Sequence, residues 1–275
     1  MSGFADGPTN MAVDEEILHA VADGSSPPTL RFFGWEPPCL SLGYAQPASD
    51  VDRSRLAELG WSLVRRPTGG RAILHSDELT YSVIAPVAEP RVEGGVVESY
   101  RRLSAGLLAG LRALNVPAEA QADPPRPEGM SATEWAAVCF EVPSHYEITA
   151  GGKKLLGSAQ VRKRGVVLQH GSLPLAGDIA RICDALIFAT EAERERAKVR
   201  VRARAATVNE IAGSQPANPD RREIAWIDAA QAMARGFAEA LNLELVEGGL
   251  TRPEVERAEE LRRERYGREE WNLKL

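Results

Sequence analysis

Strand-like segments follow one another with almost nothing between them in HYEITAGG, KKLLGSAQVRKRG and VVLQHGSLPL, with turns at Gly151-Gly152 and at Lys163-Arg164-Gly165. Connections this short join antiparallel neighbours, because a parallel pair needs a crossover of a dozen residues or more. AAVCFEV reads as a further strand ahead of them. Earlier in the chain, TLRFFGW and CLSLGYA read as two strands around the turn EPP, and WSLVRRPTGGRAILH and ELTYSVIAP as strands around a glycine turn. Strands and helices are interspersed, and several strand pairs have short hairpin connections. The expected fold class is α+β, a mixed, largely antiparallel sheet flanked by helices, in preference to a doubly wound parallel sheet.

PTNMAVDEEILHAVADG reads as the first helix, with Thr9 or Asn10 as its cap, Asp14 to Glu16 as acids of its early turns, and Met11, Ile17, Leu18 and Val21 as an apolar stripe. Asp50 is placed to cap a short helix in VDRSRLAELG. VVESYRRLSAGLLAGLRALN is a long amphipathic helix with Leu103, Leu107, Leu111 and Leu114 nearly in line. DIARICDALIF, TVNEIAG, EIAWIDAAQAMARGFAEALN and PEVERAEELRRERYG make the last part mostly helical. Residues 121–134 and 213–222 read as long loops more easily than as linkers, and there is no internal repeat. The chain is therefore expected to be one domain, 1–275, with a core over roughly 25–245 and a C-terminal helical extension over 246–275.

A formal net charge of −6 on 275 residues argues against a general nucleic-acid binder. No apolar run reaches the length of a membrane span, and the first residues have neither the basic start nor the apolar stretch of a secretory signal, so no membrane association is expected. The three cysteines, Cys39, Cys139 and Cys183, are odd in number and far apart, which fits a reducing, cytoplasmic setting. The four histidines have no metal-ligand spacing, and the common phosphate, dinucleotide, zinc-protease and nucleophile-elbow motifs are absent.

In RRPTGGRAILHSDELTYS, two arginines run into a Thr-Gly-Gly turn. Glycines let a backbone approach a ligand and expose N–H groups to an anion or carbonyl oxygen; read alone, the stretch equally fits a tight hairpin turn with solvated arginines. In GGKKLLGSAQ, Lys153 and Lys154 are adjacent on a strand, so they point to opposite faces, one of them covered. A covered lysine needs an anion or a ligand. Gly157, Ser158 and Ala159 are small and leave room for an acyl chain or a backbone to pass. Cys139 alone would be read as an inert buried thiol unless a cation such as Lys154 lowers its pKa. Cys39 and Cys183 read as core. His75 and His170, taken alone, read as structural, because no partner is visible for either. The run RERAKVRVRAR, 194–204, alternates so that Lys198, Arg200, Arg202 and Arg204 would share one face of an extended segment, either a docking patch or a solvated edge strand.

Taken in order, five blocks resemble the biotin/lipoate protein ligase superfamily and, within it, the cysteine-dependent octanoyltransferases of the LipM type: NMAVDEEIL at 10–18, LRFFGWEPPCLSLGYAQ at 30–46, RRPTGGRAILHSDELTYS at 65–82, AVCFEVPSHYEI at 137–148 and KKLLGSAQVRKRGVVLQHGSLPL at 153–175. RYGREEWN at 265–272 also looks like the family's ending. The resemblance implies the superfamily's catalytic-domain fold, an acyl-thioester cysteine at Cys139 and the family's invariant lysine at Lys154. It implies a substrate site built from Arg65, Arg66, Thr68, Gly69, Gly70, Arg71, His75, Gly157, Ser158 and Ala159. The implied reaction moves octanoyl from octanoyl-acyl carrier protein to a lysine of a lipoyl domain, such as that of glycine cleavage H protein, by a monomer without cofactor or metal. ATP-dependent lipoate or octanoate ligases carry a third glycine where this chain has Arg71, which would crowd an adenylate's phosphate. Such a ligase, an amidotransferase between lipoyl domains, and a non-catalytic acyl-binding protein are the alternatives.

Overall fold

The computed structural model describes residues 1–121, 147–214 and 223–275. In chain order the elements are β1 (Phe4–Ala5), α1 (Gly7–Ala22), β2 (Thr29–Trp35), β3 (Cys39–Leu42), α2 (Arg53–Glu58), β4 (Ser62–Arg65), β5 (Ile73–His75), β6 (Glu78–Pro86), α3 (Val96–Ala113), β7 (Ala118–Gln121), β8 (Glu147–Ala150), β9 (Lys153–Lys163), β10 (Val166–Pro174), α4 (Glu191–Arg204), α5 (Val208–Gly213), α6 (Trp226–Leu241), α7 (Arg252–Leu261) and α8 (Glu269–Asn272). A 3-10 segment, Ile179–Ala185, stands where DIARICDALIF reads as a helix, and a π-turn, Arg262–Tyr266, continues α7.

Among the described residues, seven strands form one sheet in the order β1-β2-β6-β10-β9-β8-β7, and three form a second in the order β4-β3-β5. Of these described strand pairs, only β1–β2 and β3–β4 are parallel, so the mixed, largely antiparallel α+β expectation holds. Both predicted tight hairpins are present. Gly151-Gly152 and Arg164-Gly165 all have positive φ, the two-residue turn whose twist matches the flanking strands. The EPP turn differs from expectation. β2 and β3 do not pair with each other but enter different sheets, with a cis Glu36–Pro37 bond between them.

Alternation along the strands divides the large sheet into two unlike faces. Leu79, Tyr81 and Ala85 of β6, with Val167 and Leu173 of β10, meet Leu103, Leu107 and Leu111 of α3 and Met233 and Phe237 of α6. A side chain at Gly236 would lie 2.3 Å from the Gly110 nitrogen and 2.5 Å from the Gly106 oxygen, so the α3–α6 crossing needs glycine on both helices. The opposite face carries Ile84, Val166 and Leu168 against Val13, Ile17 and Leu18 of α1, and then the three-stranded sheet. A third cluster packs the outer side of that sheet, through Leu40, Leu42 and Ile73, on α2, the 3-10 segment and Ala197 and Val201 of α4.

Local capping corrects two expectations. Asp6, not Thr9 or Asn10, caps α1, accepting from the Thr9 N–H at 2.7 Å, with Pro8 in the first turn. Asp52, not Asp50, caps α2. The acids Asp14, Glu15 and Glu16 lie mid-helix and are buried. Glu15 receives Lys163, Arg265 and the Tyr266 hydroxyl, and Glu16 receives Arg257, so the C-terminal extension is tied to α1 by charge as well as by packing. The basic run at 194–204 is the body of α4, not an extended segment. Alternate residues on a helix are about 200° apart, so Lys198, Arg200, Arg202 and Arg204 do not share a face. Lys198 is paired with Asp184 and Glu195, and Arg202 with Asp178. Among the described residues, no helix is long and apolar enough to cross a membrane.

Candidate active site

A pocket opens between the two sheets. One wall is the face of the large sheet around Thr80, Ser172, His170, Gly157 and Ala159; the other is Ser41, Arg66, Ile73 and His75 of the small-sheet region; Met11 and Trp35 complete it. Gly157 and Ala159 point into it because odd positions of β9 face that way, whereas Ser158 faces the other side and meets the Tyr81 hydroxyl at 2.7 Å.

The polar wall groups are bonded to one another. His75 Nδ1 faces Glu78 Oε1 at 2.7 Å and His75 Nε2 faces Ser41 Oγ at 2.7 Å. A carboxylate only accepts, so in the neutral ring the proton is assigned to Nδ1, and Nε2 accepts from the serine. Glu78 also accepts from Ser172 and Thr80, and Thr80 accepts from Trp35 Nε1 at 2.8 Å. The Trp35 and His75 rings stack at 3.9 Å between centroids. His170 Nε2 meets Thr68 Oγ1 at 2.6 Å, and its Nδ1 lies 3.5 Å from Asp14 Oδ2. Burial drives the His170 ring below its ordinary pKa; Asp14 offsets this only in part, so the ring is neutral at pH 7. Burial alone would raise the Asp14 carboxyl, but Arg31 at 2.7 Å, with His170, outweighs it and holds the pKa below the ordinary value.

Lys154 reaches this face through a defect in the ladder. Ile148 pairs with Leu156 but Thr149 pairs with Lys154, so β9 carries one extra residue there. Leu155 and Leu156 both pack into the α3–α6 core, and the alternation resumes one step out of phase. Lys154 thereby shares the side of Gly157 and Ala159, about 10 Å along the strand by standard rise. It is 4% exposed and donates to Glu147 Oε1 at 2.7 Å. Lys153 is half-buried and donates to the Arg202 carbonyl, so of the two adjacent lysines it is the second that is covered. An ammonium held in a low-dielectric site can stabilise a thiolate or a developing oxyanion brought beside it.

Arg66 braces the glycine turn, donating to the Gly69 and Arg71 carbonyls at 2.8 and 2.7 Å and to Ser41. Arg65 does not line the pocket. Its guanidinium faces backbone carbonyls of the loop after β3 and of the C-terminal tail. Thr68 is buried against His170, while Gly69 and Gly70 are exposed at the turn's tip. Arg66, His75, Gly157 and Ala159 thus come together, with Thr68 one bond away, and Arg65 and Ser158 face elsewhere. Cys139 and His145 lie outside the described residues. Burial pushes the Cys39 thiol up to about 12, and Cys183 is buried too, so both are core as expected. The partners absent from the sequence reading of His75 and His170 are Glu78, Ser41, Thr68 and Asp14. Of these, Asp14 left a signal, since Met11, Asp14 and Leu18 fall at the three- and four-residue spacing of one helix face.

Residues 6–238 match the lipoyl protein ligase A/B catalytic domain. The chain is 44% identical to octanoyltransferase LipM of Kyrpidia tusciae over 96% of this chain and 94% of that one. It is 42% identical to octanoyltransferase LipM of Symbiobacterium thermophilum over 99% and 96%. Among solved structures, the bi-partite lipoate protein ligase of Thermoplasma acidophilum superposes with a TM-score of 0.76 at 24% identity, covering 99% of this chain and 95% of that one. Lipoate-protein ligase A bound with ATP superposes at 0.74 with 25% identity, covering 99% of each. By that match over most of its length, and by its identity with these octanoyltransferases, this chain belongs to the lipoyl protein ligase A/B catalytic domain family.

Proposed function

We propose that this chain is an acyltransferase of protein lipoylation that moves octanoyl from octanoyl-acyl carrier protein to a lysine of a lipoyl domain through a thioester on Cys139. The observation that carries the reading is its identity of 44% across nearly its whole length with an octanoyltransferase. The buried Lys154, on the same side of β9 as the pocket, is the site feature that supports it.

The Cys139 thiolate attacks the donor's thioester carbonyl; a new C–S bond forms, the old one breaks, and the carrier leaves as its thiolate. The acceptor lysine, as the free amine, then attacks the enzyme thioester, forms the amide, loses a proton and returns Cys139 to the thiolate. A thioester is already activated, so neither step needs ATP, and two modest barriers replace one high one. Lys154 favours the thiolate and the tetrahedral oxyanion; a single such contact is typically worth about 3 kcal/mol in the transition state. The pocket between the sheets takes the alkyl chain, each buried CH₂ contributing about 0.8 kcal/mol. The wall polar groups suit this because they are bonded to one another, and an apolar guest leaves none of them newly orphaned. The enzyme works as a cytoplasmic monomer in this reading, on a lipoyl domain such as that of glycine cleavage H protein.

The test is a donor panel of octanoyl-acyl carrier protein, free octanoate with ATP, and octanoylated lipoyl domain, read by intact mass. The expected result is an octanoyl adduct from the carrier alone, present in wild type, absent in Cys139→Ser, and formed orders of magnitude more slowly in Lys154→Ala. Adduct-free transfer that requires ATP would overturn the reading in favour of a ligase, and loading only from an octanoylated domain would make the enzyme an amidotransferase.

A further inference from the structure

Arg65 opens the RRPTGG block, yet its side chain never turns toward the pocket. It is fully buried, and the hydrogen-bond acceptors around its guanidinium are backbone carbonyls. Nη1 donates to Gly43, Tyr44 and Gln46 at 2.8, 3.3 and 2.6 Å. Nη2 donates to Asn272 and Lys274 at 3.0 and 2.7 Å, and Nε to Trp271 at 3.2 Å. Its backbone is gripped as well, the N–H donating to Asn272 Oδ1 at 2.8 Å and the carbonyl accepting from Trp271 Nε1 at 2.9 Å. One planar cation thus joins two strips of chain that are more than 200 residues apart in sequence.

The first of those strips is the support of the glycine turn. The Tyr44 N–H donates to the Thr68 carbonyl at 2.8 Å, and a side chain at Gly43 would fall 2.0 Å from the Gly70 oxygen. Thr68 in turn holds His170, which lines the pocket. A continuous path of contacts therefore leads from the C-terminal tail through Arg65 to residues 43–46, the turn and the pocket wall. The aromatic tail is itself fixed, with the Arg265 guanidinium 3.7 Å and the Lys274 ammonium 3.6 Å from the Trp271 ring centre.

We propose that Trp271 to Lys274 form a positioning segment for the reaction, setting the glycine turn and the Thr68–His170 wall through Arg65 without touching substrate. Arg65 is a positioning residue, and the tail is part of the active site's support. The proposal rests on the acyl-pocket reading above. A guanidinium is suited to the task, since five N–H groups in one plane serve several carbonyls at once, which an ammonium cannot match. Loss of the brace displaces the turn by a fraction of an ångström or more, and misplacements of that order are costly in rate.

The experiment compares wild type with full-length Asn272→Leu, Arg65→Lys and Arg65→Met. Three readouts are taken: rate of acylation by octanoyl-acyl carrier protein, urea stability, and the His170 ring titration by NMR. Asn272→Leu and Arg65→Met are expected to lose about tenfold or more in acylation of the folded enzyme, with Arg65→Lys intermediate. In each the His170 titration moves up toward its ordinary value as the Thr68 contact loosens and water enters. Should these variants not fold, Trp271→Phe, which deletes the bond to the Arg65 carbonyl and keeps a smaller ring under Arg265 and Lys274, is expected to show the same pair of effects in smaller size. Wild-type acylation and an unmoved His170 titration in the variants would overturn the proposal, as would an activity loss that merely tracks the folded fraction. If wild type itself takes no acyl group, it is the acyl-transfer reading that fails, and the His170 titration alone decides whether the tail sets the wall.

Discussion

The two faces of the seven-stranded sheet use the same strands for opposite ends. On β6, Leu79, Tyr81 and Ala85 enter a continuous apolar core under α3 and α6, while Glu78, Thr80 and Ser82 turn to the side of α1 and the pocket. The first face is held by area and shape. The second buries a carboxylate at Asp14, another at Glu78, and two imidazoles, all of which need partners once they leave water. A period of two lets one strand serve both without compromise, since neither face sees the other's side chains. Stability should therefore be separable from chemistry by residue parity.

The sharpest way to break that comparison is Phe237→Ala in α6. Removing a fully buried ring from the apolar face is expected to cost about 4 kcal/mol in urea unfolding while leaving the rate of the folded enzyme within about twofold of wild type. A large rate loss in the folded protein would mean that the faces are mechanically coupled. Tyr81→Phe probes a polar island on the apolar side, where the hydroxyl meets Ser158 and accepts from Gln169 at 2.9 Å. It is expected to cost about 1 kcal/mol, again with little change in rate. The smallest effect lies on the pocket side and shows as a slope. The His170 pKa is lowered in the fold by burial, so below about pH 6.5 the unfolded chain binds a proton that the native ring does not. Its contribution to stability is complete above the unfolded pKa and is lost as pH falls through the folded one. His170→Gln should flatten that decline in pH-dependent unfolding, and an unchanged slope would deny the ring its buried, neutral state.

Much of the fold could be read before the coordinates because the hairpins announce themselves. Gly151-Gly152 and Arg164-Gly165 fix which strands are neighbours, and neighbours fix the sheet. The covered lysine followed from simple alternation as well, since the tight turn sets Lys154 opposite Thr149; that Gly157 shares its side depends on the extra residue at Leu155, and nothing in LL marks a bulge. The segment of α4 looks extended in sequence because Arg-Val-Arg-Ala-Arg alternates as a strand would. Salt bridges to Asp184 and Asp178 and the burial of Ala197 and Val201 favour the helix, and these are tertiary facts. Arg65 and Arg66 stand side by side in sequence and do different work, because adjacent residues of a strand face opposite ways and only the fold says what lies on each side.

The bulge in β9 has a consequence for how such a chain can change. Deleting Leu155 would mend the ladder with Thr149 still opposite Lys154, so the ammonium group would keep its side and the core beneath α3 would lose one leucine. The strand would look more regular, and the loss would fall on packing and not on the cation. The extra residue is thus a packing device, since it sends two successive leucines the same way, which a regular pleat does not do.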